Sequence, residues 1–166
     1  MHILWGIDFG YVFNSPDRAN RGTELTDQRQ TAETWRIKMN AIQPAKAYTI
    51  VFENYPNYLY ALVHGDKYGY DVLAGFLREI SDEVKKRGFD RVLIEENISA
   101  TASKEDIFRI ASELPELGFA DIKLAYIDRF QEQQDLNEYG ENVAVNNGVN
   151  VKIFADQSEA DVWLSS

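Results

Sequence analysis

Three consecutive stretches decide the fold: Tyr48-Thr49-Ile50-Val51-Phe52, Asn54-Tyr55-Pro56-Asn57 and Tyr58-Leu59-Tyr60-Ala61-Leu62-Val63. The first and third are rich in β-branched and aromatic residues, which suit a pleated, half-buried surface. The middle stretch collects the residues that turn a chain. Together they predict an antiparallel β-hairpin.

C-terminal to the hairpin, the period changes from two to about 3.6. Val72, Leu73, Phe76, Leu77, Ile80 and Val84 mark one apolar face of a helix over about 71–87. Gly88 follows at the position where a helix end takes a left-handed residue. Arg91-Val92-Leu93-Ile94 reads as a short strand. Ser103-Lys104-Glu105-Asp106 resembles a capping box and opens a second helix with Ile107, Ile110, Ala111 and Leu114 inward. Pro115 and Gly118 close that helix. A strand over 122–127, a helix over about 133–146 and a strand over 149–154 come next. In the third helix Leu136, Tyr139 and Val143 face inward. Asp156-Gln157-Ser158-Glu159 then caps a terminal helix that buries Ala160, Trp163 and Leu164. The order β-β-α-β-α-β-α-β-α calls for parallel strands joined by right-handed crossovers. With the antiparallel hairpin in front, the sheet is mixed and the class is α/β.

N-terminal to the hairpin, the pattern fades. Asn14 to Thr34 is polar and without sustained periodicity. Residues 1–38 carry five basic side chains (Arg18, Arg21, Arg29, Arg36, Lys38) and five acidic ones (Asp8, Asp17, Glu24, Asp27, Glu33), so the net charge of −10 belongs to residues 39–166. This divides the chain into an N-terminal extension over 1–46 and one domain over 47–166. Two readings of the extension stay open. It is an upstream segment ahead of a start at Met39, or Trp5, Phe9, Tyr11 and Phe13 contribute an added strand.

Composition narrows the function. In 166 residues, 45% hydrophobic and 27% charged side chains match an ordinary globular domain. No run reaches the ~20 apolar residues of a membrane-spanning helix, and the opening residues lack the basic region of a secretory signal. The chain has no cysteine, which removes disulfides, thiolate zinc sites and cysteine nucleophiles. A charge of −10 disfavours nucleic acid and anionic membranes as partners. A cytoplasmic location and no resident cofactor are expected.

The element order, together with Asn146-Asn147-Gly148-Val149-Asn150-Val151-Lys152-Ile153-Phe154, then Glu159-Ala160 and Trp163-Leu164, resembles the STAS/SpoIIAA-like family. The nearer resemblance is to its uncharacterised bacterial SpoIIAA-like branch, over residues 47–166. The helix start at Ser103, Asp106, Ile107 and Phe108 resembles that branch as well. The resemblance implies a small regulatory or ligand-binding module. In the founding antagonists, a serine in an Asp-Ser-x-Gly-like loop at the start of the second helix is phosphorylated by a partner kinase. The loop here is Ser99-Ala100-Thr101-Ala102-Ser103, which lacks both the Asp-Ser pair and the glycine. Ser103 is nearest in position and Thr101 next. These two are the candidate phosphoacceptors or partner-loop residues, beside the plain reading of Ser103 as a helix cap.

Other residues invite chemistry. Glu95-Glu96, Asp128 and Asp156 follow predicted parallel strands, at the end of an open sheet where ligands gather, and a carboxylate cluster there suits Mg²⁺. The competing reading is that acidic residues commonly leave strands and cap helices. His64-Gly65-Asp66 sets an imidazole near a carboxylate, but no G-x-S-x-G elbow accompanies it. Gly6-Ile7-Asp8-Phe9-Gly10 contains a kinase-like DFG without the other kinase elements. Tyr58, Tyr60, Tyr68 and Tyr70 crowd the hairpin and the following loop. They read either as a half-buried face with polar tips or as a ligand or interface face.

The expectation is a non-enzymatic regulatory or interaction module with a protein partner. The rivals are a carrier or sensor of a small apolar ligand and a Mg²⁺-dependent hydrolase built on Glu95, Glu96 and Asp128.

Overall fold

β1 (Tyr48–Asn54) and β2 (Leu59–Gly65) pair antiparallel, with Tyr48 opposite Gly65 and Asn54 opposite Leu59. This is the hairpin read from the sequence. The structure, a computed structural model, describes residues 46–166. The readings placed on 1–45, including the Met39 start, the added strand and Gly6–Gly10, lie outside the described residues.

After the hairpin come α1 (Tyr70–Arg87), β3 (Arg91–Ile98), α2 (Lys104–Glu113), β4 (Lys123–Asp128), α3 (Gln134–Asn146), β5 (Val151–Ile153) and α4 (Gln157–Leu164). Strands β2 to β5 run parallel, and the sheet order is β1-β2-β3-β4-β5. That strictly sequential order has a consequence. Right-handed crossovers that always step in one direction place every crossover helix on the same face of the sheet. Accordingly α1, α2 and α3 cover one face, where Leu59, Ala61, Val63, Phe76, Ile80, Val92, Ile94, Ile110 and Leu124 form the large core. Among the described residues, only α4, which is not a crossover, covers the other. It buries a smaller cluster of Tyr58, Tyr60, Leu93, Ala125, Ile127, Phe154, Ala160 and Leu164.

Local chemistry fixes the helix ends. Gly88 takes φ 77°, and its N–H donates to the Lys85 carbonyl, so α1 ends as a left-handed cap. Ser103 Oγ accepts from the Asp106 N–H at 3.0 Å and starts α2. Asp156 Oδ1 accepts from the Glu159 N–H at 3.1 Å and starts α4. After α2 the chain turns over 115–119, with Gly118 at φ 103°. A Cβ there would lie 2.8 Å from Ser81 Oγ, whose hydroxyl donates to the Leu117 carbonyl at 2.6 Å. Gly118 therefore lets this turn press onto α1. Among the described residues, no helix is long and apolar enough to cross a membrane.

One difference in boundary bears on the site. β3 does not stop at Ile94 but runs on to Ile98, so Glu95 and Glu96 lie within the strand rather than after it. Alternation then sends them to opposite faces.

Candidate functional site

The tyrosines come first because their hydroxyls organise the carboxylates. Tyr58 and Tyr60 share the α4 face, as their spacing predicts, and both are buried there. The Tyr58 hydroxyl donates to Asp161 of α4, with Gln157 Nε2 3.4 Å away. The Tyr60 hydroxyl donates to Glu95, which also pairs with Arg129. Burial, and then the facing carboxylate, raises both phenols above their ordinary value.

Tyr68 and Tyr70 do not join that face. The chain has to cross to the other side of the sheet to enter α1, and it carries both with it. The Tyr68 hydroxyl donates to Glu96 Oε2 at 2.9 Å, and its own pKa is pushed far up by burial and then by the charge of Glu96. Tyr70 donates to Glu113 of α2 at 2.5 Å, beneath the Arg109 guanidinium at 3.4 Å from its ring centroid. A four-tyrosine face is thus corrected to three separate places, each tyrosine engaged with its own carboxylate.

The burial of Glu96 was the feature hardest to see in the sequence. Its side chain is fully buried among Val92, Ile94 and Ile98, the alternate residues of β3. Tyr68 and Tyr126 both donate to Oε2. Oε1 has no hydrogen-bond partner among the described residues. Desolvation by the core pushes the carboxyl up to about 8; the Tyr68 hydroxyl opposes this, and the neighbouring Asp128 adds to it. Glu96 and Asp128 stand in register on adjacent strands. The signal that could have found it was the apolar alternation of Val92, Ile94 and Ile98 continuing through position 96.

The proposed Mg²⁺ trio does not converge. Glu95 turns to the α4 face and Glu96 to the α1–α3 face. Asp128 instead accepts from the Phe130 N–H at 2.7 Å and from Asn137 at 2.9 Å, which ties β4 to the start of α3. Asp156 serves its cap. No group of three His, Asp or Glu side chains suited to a metal occurs among the described residues. His64 Nδ1 lies 3.0 Å from the Asn97 amide across the β2–β3 pair and has no bond to Asp66 among those described.

Two adjoining clefts lie beside β4 and β5, the first at their carboxyl ends. A shallow depression of about 540 Å³ is lined by Asp128, Glu138 and Glu141, with Lys152 opposite. It adjoins a narrow apolar cavity of about 80 Å³ between α2, α3 and the sheet, to which Tyr68, Tyr126, Ile107 and Leu136 contribute. Asn137, Glu141 and Ile153 line both. The loop before α2 is a separate surface. Thr101 and Ser103 are exposed, Ala102 between them is buried, and Phe108 on the outer side of α2 is 53% exposed.

This architecture has known parallels. No family model matches the chain, and no curated protein matches it. Among solved structures, an anti-sigma factor antagonist from Mycobacterium paratuberculosis is similar to it, with a TM-score of 0.51 at 11% identity, over 75% of this chain and 100% of that one. The likeness shows the fold. The hairpin, the parallel strands and the crossover helices make an α/β domain with the STAS/SpoIIAA-like fold.

Proposed function

We propose that the chain is a non-enzymatic regulatory module that works in the cytoplasm by binding a protein partner. The partner surface is the loop 99–103 with the solvent face of α2. One observation carries this assignment: Phe108, a large apolar ring, stands 53% exposed one turn beyond the exposed hydroxyls of Thr101 and Ser103. Aromatic rings of this kind anchor interfaces. The fold likeness to an anti-sigma factor antagonist supports the same class of role.

Phosphorylation has a physical cost at Ser103. Its oxygen already caps α2, and Glu105 and Asp106 already place negative charge in the first turn. An added phosphate meets like charge there. Thr101 carries no cap and is the freer acceptor.

The test compares two exposed apolar sites on opposite faces. A photo-crosslinking residue is placed at Glu105, beside Phe108, or at Val162 on α4, which is 75% exposed. The Glu105 variant should yield a discrete protein adduct in the source cells, and Phe108→Ala should remove most of it. Equal adducts from both positions, or none at Glu105, would overturn the assignment. The carrier reading is favoured only by the apolar cavity, and about 80 Å³ falls far below the ~300 Å³ of a drug-sized pocket.

A further inference from the structure

The two edges of the sheet are finished differently. At the β5 edge the Phe154 N–H bonds back to the Tyr126 carbonyl of β4, so the N–H of Ile153, one residue earlier, points away from the sheet. Glu141 of α3 accepts from that outward N–H at 2.6 Å and occupies the place that a further strand would need. At the other edge, β1 has a neighbouring strand on one side only, and no side chain bonds to its backbone, among the described residues. The usual protections of an edge are missing from its sequence as well. Tyr48-Thr49-Ile50-Val51-Phe52 holds no charge, proline or glycine, and its register with β2 runs from Tyr48 to Asn54 without a bulge. Val51 is 48% exposed. A regular, uncharged edge of this kind is a template for a further strand.

The residues of β1 suit a second copy of β1. When two identical strands pair antiparallel about a two-fold axis through the sheet, directly opposite residues lie on the same face. With Ile50 on the axis, Tyr48 of each copy stands opposite Phe52 of the other, and Thr49 opposite Val51. Aromatic and β-branched pairs of this kind are the ones that stabilise neighbouring strands. Moving the axis to Thr49 or Val51 separates Tyr48 from Phe52. The charges on α1 agree with the same axis. At the Tyr48 end, Glu79 accepts from Lys46 and from the Tyr48 hydroxyl. At the Phe52 end, Arg87 lies over the Phe52 ring and donates to Asn54. The axis sets the Glu79 end of each copy against the Arg87 end of the other, so a carboxylate meets a guanidinium twice.

We propose that β1 is a self-association edge, through which two copies of this chain join their five-stranded sheets into one continuous sheet about a two-fold axis at Ile50. The pairing uses no residue of α2 or of loop 99–103, so it stands or falls apart from the partner assignment.

The experiment is sedimentation velocity on the full chain over a concentration series. A monomer–dimer equilibrium is expected with a dissociation constant on the order of 10 µM, as suits an interface at the small end of the range. Val51→Lys changes an exposed side chain and leaves the core alone. It should weaken the dimer by roughly tenfold or more, since an edge lysine loses its water when a strand pairs over it. Glu79→Arg and Arg87→Glu, each alone, set like charges against each other and should weaken the dimer roughly fivefold. An equimolar mixture of these two variants restores opposite charges at both ends and should recover the affinity of the unaltered chain. A chain that stays monomeric at about 500 µM, well above the expected range, would overturn the proposal. Protected β1 amides in such a monomer would give the edge to another occupant. A dimer that Val51→Lys leaves unchanged would place the contact on another surface and overturn it equally, and so would a mixture no tighter than its components.

Discussion

The two faces of the sheet use the same pair of groups, a tyrosine hydroxyl and a carboxylate, to opposite ends. Under α4, Tyr58 and Tyr60 bury their rings and reach outward to Asp161 and Glu95 at the rim. Under α1–α3, Tyr68 and Tyr126 reach inward to Glu96, which has no exposed surface. The difference follows from topology. Three crossover helices make a layer thick enough to seal a polar group inside, whereas one eight-residue terminal helix leaves the hydroxyls within reach of water. The lesson is that the burial of a tyrosine–carboxylate pair, more than its geometry, decides whether it tethers a surface or retains a proton.

The comparison is broken most severely through the cores. Phe76→Ala, in the thick layer, should cost about 3–5 kcal/mol, because the surrounding side chains are already fully packed. Leu164→Ala, in the thin layer, should cost about 2 kcal/mol, the low end for such changes, since a single eight-residue helix shifts more readily to fill the space. Urea unfolding of both variants measures this, and equal losses would contradict the contrast.

Of comparable size is the effect of pH through Glu96. Its folded value lies near 8, above the ordinary carboxylate range of about 4.3. The folded chain therefore holds a proton that the unfolded chain has released. Stability from this group is complete below about pH 4 and is lost as pH rises toward 8. Glu96→Gln keeps a neutral group with an oxygen for both tyrosines and cannot ionise. Relative to that variant, the wild-type chain should lose about 1.4 kcal/mol per pH unit between pH 5 and 8, measured by thermal unfolding. Parallel profiles would remove the buried acid from the account.

The smallest effect sharpens the comparison directly. Tyr68→Phe leaves a buried carboxyl with one donor fewer and should cost about 1–3 kcal/mol. Tyr58→Phe leaves Asp161 with water in reach and should cost about 0.5–1 kcal/mol.

Much of the fold was legible because its signals are local. The 3.6 period through Phe76 and Ile80, the caps at Ser103 and Asp156, and the hairpin turn at 54–57 each depend on neighbours a few residues away. The sequential strand order was not legible, because it is a choice among long-range pairings that no single segment encodes. The burial of Glu96 was missed for a related reason. Two glutamates in a row read as the polar exit of a strand, and only the strand's continuation to Ile98 reveals that one of them faces the core. The tyrosines failed as one group because sequence proximity conceals the passage of the chain between faces at Tyr68. Thr101 and Ser103 were singled out by position in the loop that the resemblance points to, and Phe108 beside them was quoted only as part of a motif.

The most direct measurement is a ¹³C NMR titration of the Glu96 side-chain carboxyl in the full chain. A midpoint near 8 would establish a protonated acid sealed under the three-helix layer at neutral pH. A midpoint in the ordinary carboxylate range, about 4–5, would show that water reaches Glu96 and that the two faces do not differ as described.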